Sequence, residues 1–178
     1  MLVGEVGMMA SGGQTSQPGV PTIGTVTAMV GESASSTDFR SIVLRGANVA
    51  SYKFALAKSI LSLAQSEATS ASLEQLAVPF SRELCAHLKE VDTQTTSQGS
   101  RFLDACRHFN EGRITHTELI DATVLLGFNN VIDAFHVVDR SDVGTRFFAD
   151  ERNQALRGLR FTDELVALAS EIDTRQPL

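Results

Sequence analysis

Apolar residues recur at helical spacing through most of the chain. Val49, Tyr52, Leu56, Ile60 and Leu63 stand at i, i+3, i+7, i+11 and i+14, which predicts a helix over residues 49–64. Phe54, Ala57 and Leu61 add a second stripe, so this helix should be buried on more than one side. Lys53 and Lys58 are expected to stay out by snorkelling. Residues 65–71 read as a polar connection. Ser72-Leu73-Glu74-Gln75 is a capping box, and Leu73, Leu76, Phe80, Leu84 and Leu88 continue from it at helical spacing. Pro79 falls inside that pattern; the expectation is one kinked helix rather than a turn followed by a helix starting at Pro79. A polar loop comes next, over residues 92–99. The next helix spans 100–111, carries Phe102, Cys106 and Phe109 on one face, and stops at Gly112. Thr115-His116-Thr117-Glu118 is a second capping box, opening a helix to Leu126 with Leu119, Ile120, Thr123 and Leu126 inward. Thr162 caps a last helix, whose apolar face is Leu165, Val166, Leu168, Ala169 and Ile172.

The densest apolar block lies within residues 126–152. Gly127 reads as a left-handed helix stop, and Asn129 or Asn130 as the cap of the next short helix. Val131, Ile132, Phe135 and Val138 suit one face of that helix. A turn at Asp142 and Gly144 then leads to Arg146-Phe147-Phe148, a short strand or extended segment. This stretch is expected to be the hub on which the other helices pack. Residues 153–160 read as a turn region around Gly158. Residues 39–44 read as an extended entry, with Ile42–Leu44 the other strand candidate, followed by a turn in which Asn48 is an N-cap.

Residues 1–38 are rich in Gly, Ser and Thr, with Pro18 and Pro21, and read as a disordered or linker tail. Residues 39–173 then form a single helical domain and 174–178 a polar tail. The expected class is mainly α: an irregular bundle of five or six helices with at most one short β pairing.

Composition narrows the functional classes. The chain has 178 residues, 43% of them hydrophobic, a net charge of -6 and a pI near 5.2. That balance favours a soluble protein and opposes a strong sequence-independent grip on nucleic acid. Two cysteines, Cys85 and Cys106, inside helical patterns do not form a disulfide framework and read as reduced and buried. The first residues lack a basic n-region, and no apolar run is long enough to span a bilayer, which points to the cytoplasm and to no membrane partner.

Three constellations invite chemistry. Cys85 and His87 with Cys106 and His108 have zinc-ligand chemistry, but residues two apart on a helix diverge by roughly 200°. No metal is therefore assigned. Asp133 and His136 share a helix face at i and i+3, with Asp139 beyond, and could orient a general base. A solvated edge is the favoured reading, because no third ligand or nucleophile is placed. Arg45, Lys53 and Lys58 are the better basic cluster and the candidates for nucleic-acid contact. Arg140, Arg146, Arg152, Arg157 and Arg160 interleave with acids and read as a salt-bridged surface.

Four runs carry a family resemblance: ASYKFALAK at 50–58, SRFLDAC at 100–106, LGFNNVIDAFH at 126–136 and RFF at 146–148. Together they resemble the N-terminal helical region of bacterial HNH endonucleases, over about residues 42–169. The resemblance implies a role in cleaving DNA or RNA, through a metal-binding His-Asn-His module that lies after this region. No such pattern follows Ile172, so the family's catalytic residues have no positions here, and a divalent metal would belong to that absent module. The implied alternatives are a truncated or split gene product, or a domain working beside a nuclease on another chain. A stand-alone protein-interaction module is the other function class considered.

Overall fold

The computed structural model describes residues 33–45, 50–90 and 100–175. The tail reading for residues 1–32, the Asn48 cap, the loop at 92–99 and residues 176–178 lie outside the described residues.

Helix α1 (Ala34–Leu44) opens at Ser33, whose side chain accepts from the Ser36 N–H, and it buries Phe39 and Ile42. The extended entry over 39–44 and the Ile42–Leu44 strand are thus both replaced by helix. The cap lies upstream, within the stretch assigned to the tail, and the three-residue spacing of Phe39 and Ile42 is helical. Helix α2 (Ala50–Gln65) buries Ala55, Leu56, Ala57 and Ile60.

Strand β1 (Ser70–Ser72) lies in the stretch read as a polar connection and leads directly into α3 (Leu73–Glu90). The Ser72 hydroxyl accepts from the Gln75 N–H at 3.3 Å, and Gln75 accepts from the Ser72 N–H at 2.9 Å, as the capping box requires. Pro79 is buried within α3, which runs through it as one element. Helix α4 (Arg101–Asn110) is capped by Ser100 and ends before Gly112, whose φ of +72° suits glycine. Helix α5 (His116–Ala122) carries the Thr115–Glu118 box and passes into a π-helical turn, Thr123–Gly127.

The next stretch departs most from its periodicity. Gly127 has no left-handed φ; it is small because an added Cβ would lie 3.1 Å from Phe102 Cζ. The left-handed residue is Asn130, at φ +69°, and its side chain makes no cap hydrogen bond. Helix α6 (Val131–Ala134) is a single turn. Val138 belongs to β2 (Val137–Val138), which pairs antiparallel with β3 (Ser141–Asp142). Asp139 and Arg140 make the connection with φ of +50° and +68°, the mirror-image turn that matches strand twist. The hairpin turn is therefore here; Asp142 lies in β3, and the chain bends again at Gly144. All four apolar residues of the supposed helical face are still buried.

Strands β4 (Phe148–Glu151) and β5 (Gly158–Phe161) complete an antiparallel sheet in the order β1–β5–β4. So the 153–160 turn region ends in the central strand of a sheet, and the β content exceeds one pairing. Phe148 opens β4, while Arg146 and Phe147 lead into it. Thr162 accepts from the Leu165 N–H and caps α7 (Asp163–Arg175). Helix α2 packs on α1, α3 and α7, and α3 on α4 and α5. Among the described residues the protein is mostly helical, with seven α-helices where five or six were expected, α1 arising from the supposed tail and extended entry, and with two small antiparallel sheets.

Two groups of rings fill the core. Tyr52, Phe80, Phe102 and Phe128 form one, with Phe80 and Phe128 centroids 4.9 Å apart. Phe39, Phe135, Phe147 and Phe148 form the other, together with the His136 imidazole. Helix α2 serves both: Tyr52 enters the first group, and the adjacent Lys53 reaches toward the second.

Candidate functional site

The polar centre of the molecule is His136, just beyond the single turn of α6. It is 4% exposed, with its ring 4.6 Å from that of Phe148 and stacked on Phe147. The Phe147 N–H donates to His136 Nε2 at 3.0 Å, and the Val143 N–H donates to the His136 carbonyl at 2.8 Å. An Nε2 that accepts is unprotonated, so the ring is neutral. Burial is the main cause that pulls its pKa down to about 4, and the charges of Arg146 and Lys53 act the same way against Asp142.

The segment around His136 is held from a distance. Lys53, 3% exposed, extends its ammonium to the Val137 carbonyl oxygen at 2.5 Å. Burial lowers its pKa. The Thr145 N–H donates to Asp38 on α1 at 2.9 Å. A loop with few regular partners of its own thus satisfies its backbone groups with side chains from α1 and α2.

The candidate Asp133–His136–Asp139 group does not assemble. Asp133 pairs with Arg152 at 2.5 Å, and Asp139 lies 3.8 Å from Arg45, both at the surface. The i, i+3 argument assumed a continuous helix, whereas α6 ends at Ala134. The expectation of a solvated edge fits Asp133 and Asp139 but not His136, which is in the core.

The basic candidates are also dispersed. Arg45 is exposed and faces Asp139. Lys53 does not snorkel out but points inward. Lys58 meets Glu83 at 2.5 Å and stands 5.5 Å from the Phe54 ring centroid. The later arginines fit the salt-bridged reading: Arg146 with Asp142, Arg152 with Asp133 and Asp150, Arg160 with Glu151.

Cys85 and Cys106 are free and buried. His87 lies 3.4 Å from the Ser51 hydroxyl instead of near them. Among the described residues, no group of three or more His, Cys, Asp or Glu could hold a metal ion.

One feature has no local sequence signal. A cleft of about 500 Å³ between α2 and α3 is lined by Ser51, Phe54, Lys58, Glu83 and His87, among others. Ser51 and His87 meet there at the long end of hydrogen-bond range. Among the described residues no carboxylate hydrogen-bonds to His87, so the pair lacks the third group that orients a catalytic base.

Fold and site together define a helix-rich protein whose polar cluster is built into the core rather than into an open hollow. No protein-family model matches the chain, and no curated protein or solved structure matches it. Among the described residues, no helix is long and apolar enough to cross a membrane.

Proposed function

We propose that this chain is the helical domain of an HNH-type endonuclease system, which positions or regulates a nuclease and does not itself cut. One observation supports this reading above others. The four separated runs that carry the resemblance meet one another in the fold. The Tyr52 hydroxyl hydrogen-bonds to Ser100 at 3.1 Å. Gly127 closes on Phe102. Phe147 donates to His136. These residues thus form a mutually dependent frame, as expected of a folding unit and not of a reactive centre. Nucleic acid would be engaged through a nuclease module or a partner chain.

The test uses supercoiled plasmid with magnesium, manganese or zinc. The 178-residue chain alone leaves the plasmid intact. The chain extended by the reading frame that comes after it in its genome nicks the plasmid. Nicking by the chain alone overturns the proposal.

A second reading, a protein-interaction module with no nucleic-acid role, is favoured by the engagement of Arg45, Lys53 and Lys58 by Asp139, Val137 and Glu83. Filter binding of single- and double-stranded DNA at low salt separates the two. Retention supports a nucleic-acid role. No retention, with one stoichiometric protein partner in a pull-down, supports the second reading.

A further inference from the structure

Helix α3 carries two stripes. Leu76, Phe80, Leu84 and Leu88 recur every four residues and are buried in the core. Val78, Arg82, Cys85, Ala86 and Lys89 fall at i, i+4, i+7, i+8 and i+11 and form the second stripe. This stripe is one wall of a cleft of about 330 Å³. The facing wall is Phe109 and Asn110 at the end of α4, with His116 and Leu119 on α5. Asn110 ties the two walls together by donating its Nδ2 to the Cys85 carbonyl at 2.8 Å. Gly112, at φ +72°, turns the chain between α4 and α5, so that both helices reach the same cleft.

Two properties coincide here. The first is open apolar surface: Val78 is 44% exposed, Ala86 is exposed and Phe109 is only half-buried. The second is positive charge without a strong partner. Among the described residues, no Asp or Glu lines the cleft, and Lys89 has no ion-pair partner. Arg82 stands 4.0 Å from Glu83, whose other carboxylate oxygen meets Lys58 at 2.5 Å. The His116 ring, its centroid 6.2 Å from that of Phe109, adds a nitrogen donor at the rim. In a chain of net charge -6, this is a local reversal of sign beside apolar surface. The larger cleft between α2 and α3 lacks it, because Glu83 and Glu90 line that cleft and its Lys58 is taken by Glu83.

We propose that this cleft binds an anion with a single medium-length alkyl chain, in its simplest form a fatty carboxylate. The chain lies on Val78, Ala86, Phe109 and Leu119, and the carboxylate is held at the rim by Arg82 and Lys89. Those two residues are two turns apart on α3, about 10 Å along the axis, a gap that their long stems close. The cavity is at the small end of the roughly 300–1,000 Å³ of ligand pockets, so it admits one alkyl chain and not a folded peptide. Removing the chain from water supplies the affinity, and charge-assisted hydrogen bonds select the headgroup.

The experiment titrates octanoate into the isotope-labelled full chain and follows backbone amides by NMR, with acetate and octanol as controls. The expected result is saturable one-site binding that moves the amides of Val78, Ala86, Phe109 and Leu119 and leaves β4 and β5 in place. Acetate and octanol should each bind about tenfold more weakly or worse, since one lacks the chain and the other the charge. Arg82→Gln with Lys89→Gln should weaken octanoate by about tenfold or more and leave octanol unchanged. Ala86→Leu, at an exposed helical position that tolerates leucine, should fill the cleft and abolish binding with both cations intact. Equal affinity for octanol, equal affinity for acetate, or indifference to the double substitution overturns the proposal. So does self-association through these same amides without octanoate, because a second copy would then cover the face. Should a variant fail to fold by circular dichroism, the three-ligand series on the unsubstituted chain decides alone.

Discussion

The two aromatic groups of the core are assembled by different means. The Tyr52, Phe80, Phe102 and Phe128 group joins rings carried mainly by α2, α3 and α4, with the Tyr52–Ser100 hydrogen bond at its edge. Most of these rings stand on regular helices, and packing positions them. The Phe39, Phe135, Phe147 and Phe148 group is built largely from loop and strand. Its backbone needs outside partners, and it receives them from Lys53, Asp38 and His136. The first group is held by area and the second by a few hydrogen bonds that buried groups cannot do without. Single substitutions should therefore be felt very differently on the two sides.

The harshest way to break the second side is Gly158→Ala. Its Cβ would lie 1.9 Å from the Ala71 carbonyl oxygen, a backbone atom in the paired strand, so the β1–β5 ladder must part. The expected loss is about 3 kcal/mol or more, beyond ordinary overpacking, because no side chain can yield. Urea denaturation measures it. A change within the ordinary surface range would show that the strand shifts freely.

Acid offers the next largest effect. Folding lowers the His136 pKa from 6.5 to about 4, so between those values the unfolded chain binds more protons. Stability is then complete above pH 6.5 and falls as the pH drops through this window, by up to about 3 kcal/mol. Protonating Nε2 would also remove the acceptor of the Phe147 N–H. In His136→Gln, whose amide oxygen can still accept, the slope across this window should flatten. An unchanged slope would assign it to other groups.

Lys53→Met keeps the apolar stem and deletes the donor to the Val137 carbonyl. Losing a partner for a buried carbonyl costs about 1–2 kcal/mol after relief of the buried ammonium. Hydrogen exchange should localise the loosening to residues 137–147 and leave α4 untouched. Uniform loosening would mean that Lys53 supports the whole core.

The same contrast explains what was legible beforehand. Helices α2 to α5 announced themselves through apolar spacing and two capping boxes, because the information is local. Lys53 did not, since a lysine extends its stem along apolar surface whether its head ends in water or at a carbonyl. Strand β5 was hidden because Gly158 is explained by Ala71, far off in sequence. The hairpin turn uses Asp139-Arg140 rather than the usual Asn-Gly, so its left-handed pair carried no signal. Partners for His136 were sought among neighbours on a helix that stops two residues earlier.

The smallest effect belongs to the first side. Thr115→Ala removes the hydroxyl that accepts from the Glu118 N–H at 3.3 Å, at the start of α5. A lost N-cap of this kind costs about 1 kcal/mol. Glu118 also loses a hydroxyl donor that, after the Thr115 backbone N–H, holds its pKa down. Its titration by NMR should therefore move back toward the ordinary carboxylate value. The Phe147 amide should keep its protection, since α5 fixes only itself and the faces it packs on. If protection at Phe147 fell in step with that of α5, the two aromatic groups would be one cooperative unit, and their different construction would have no separate energetic consequence.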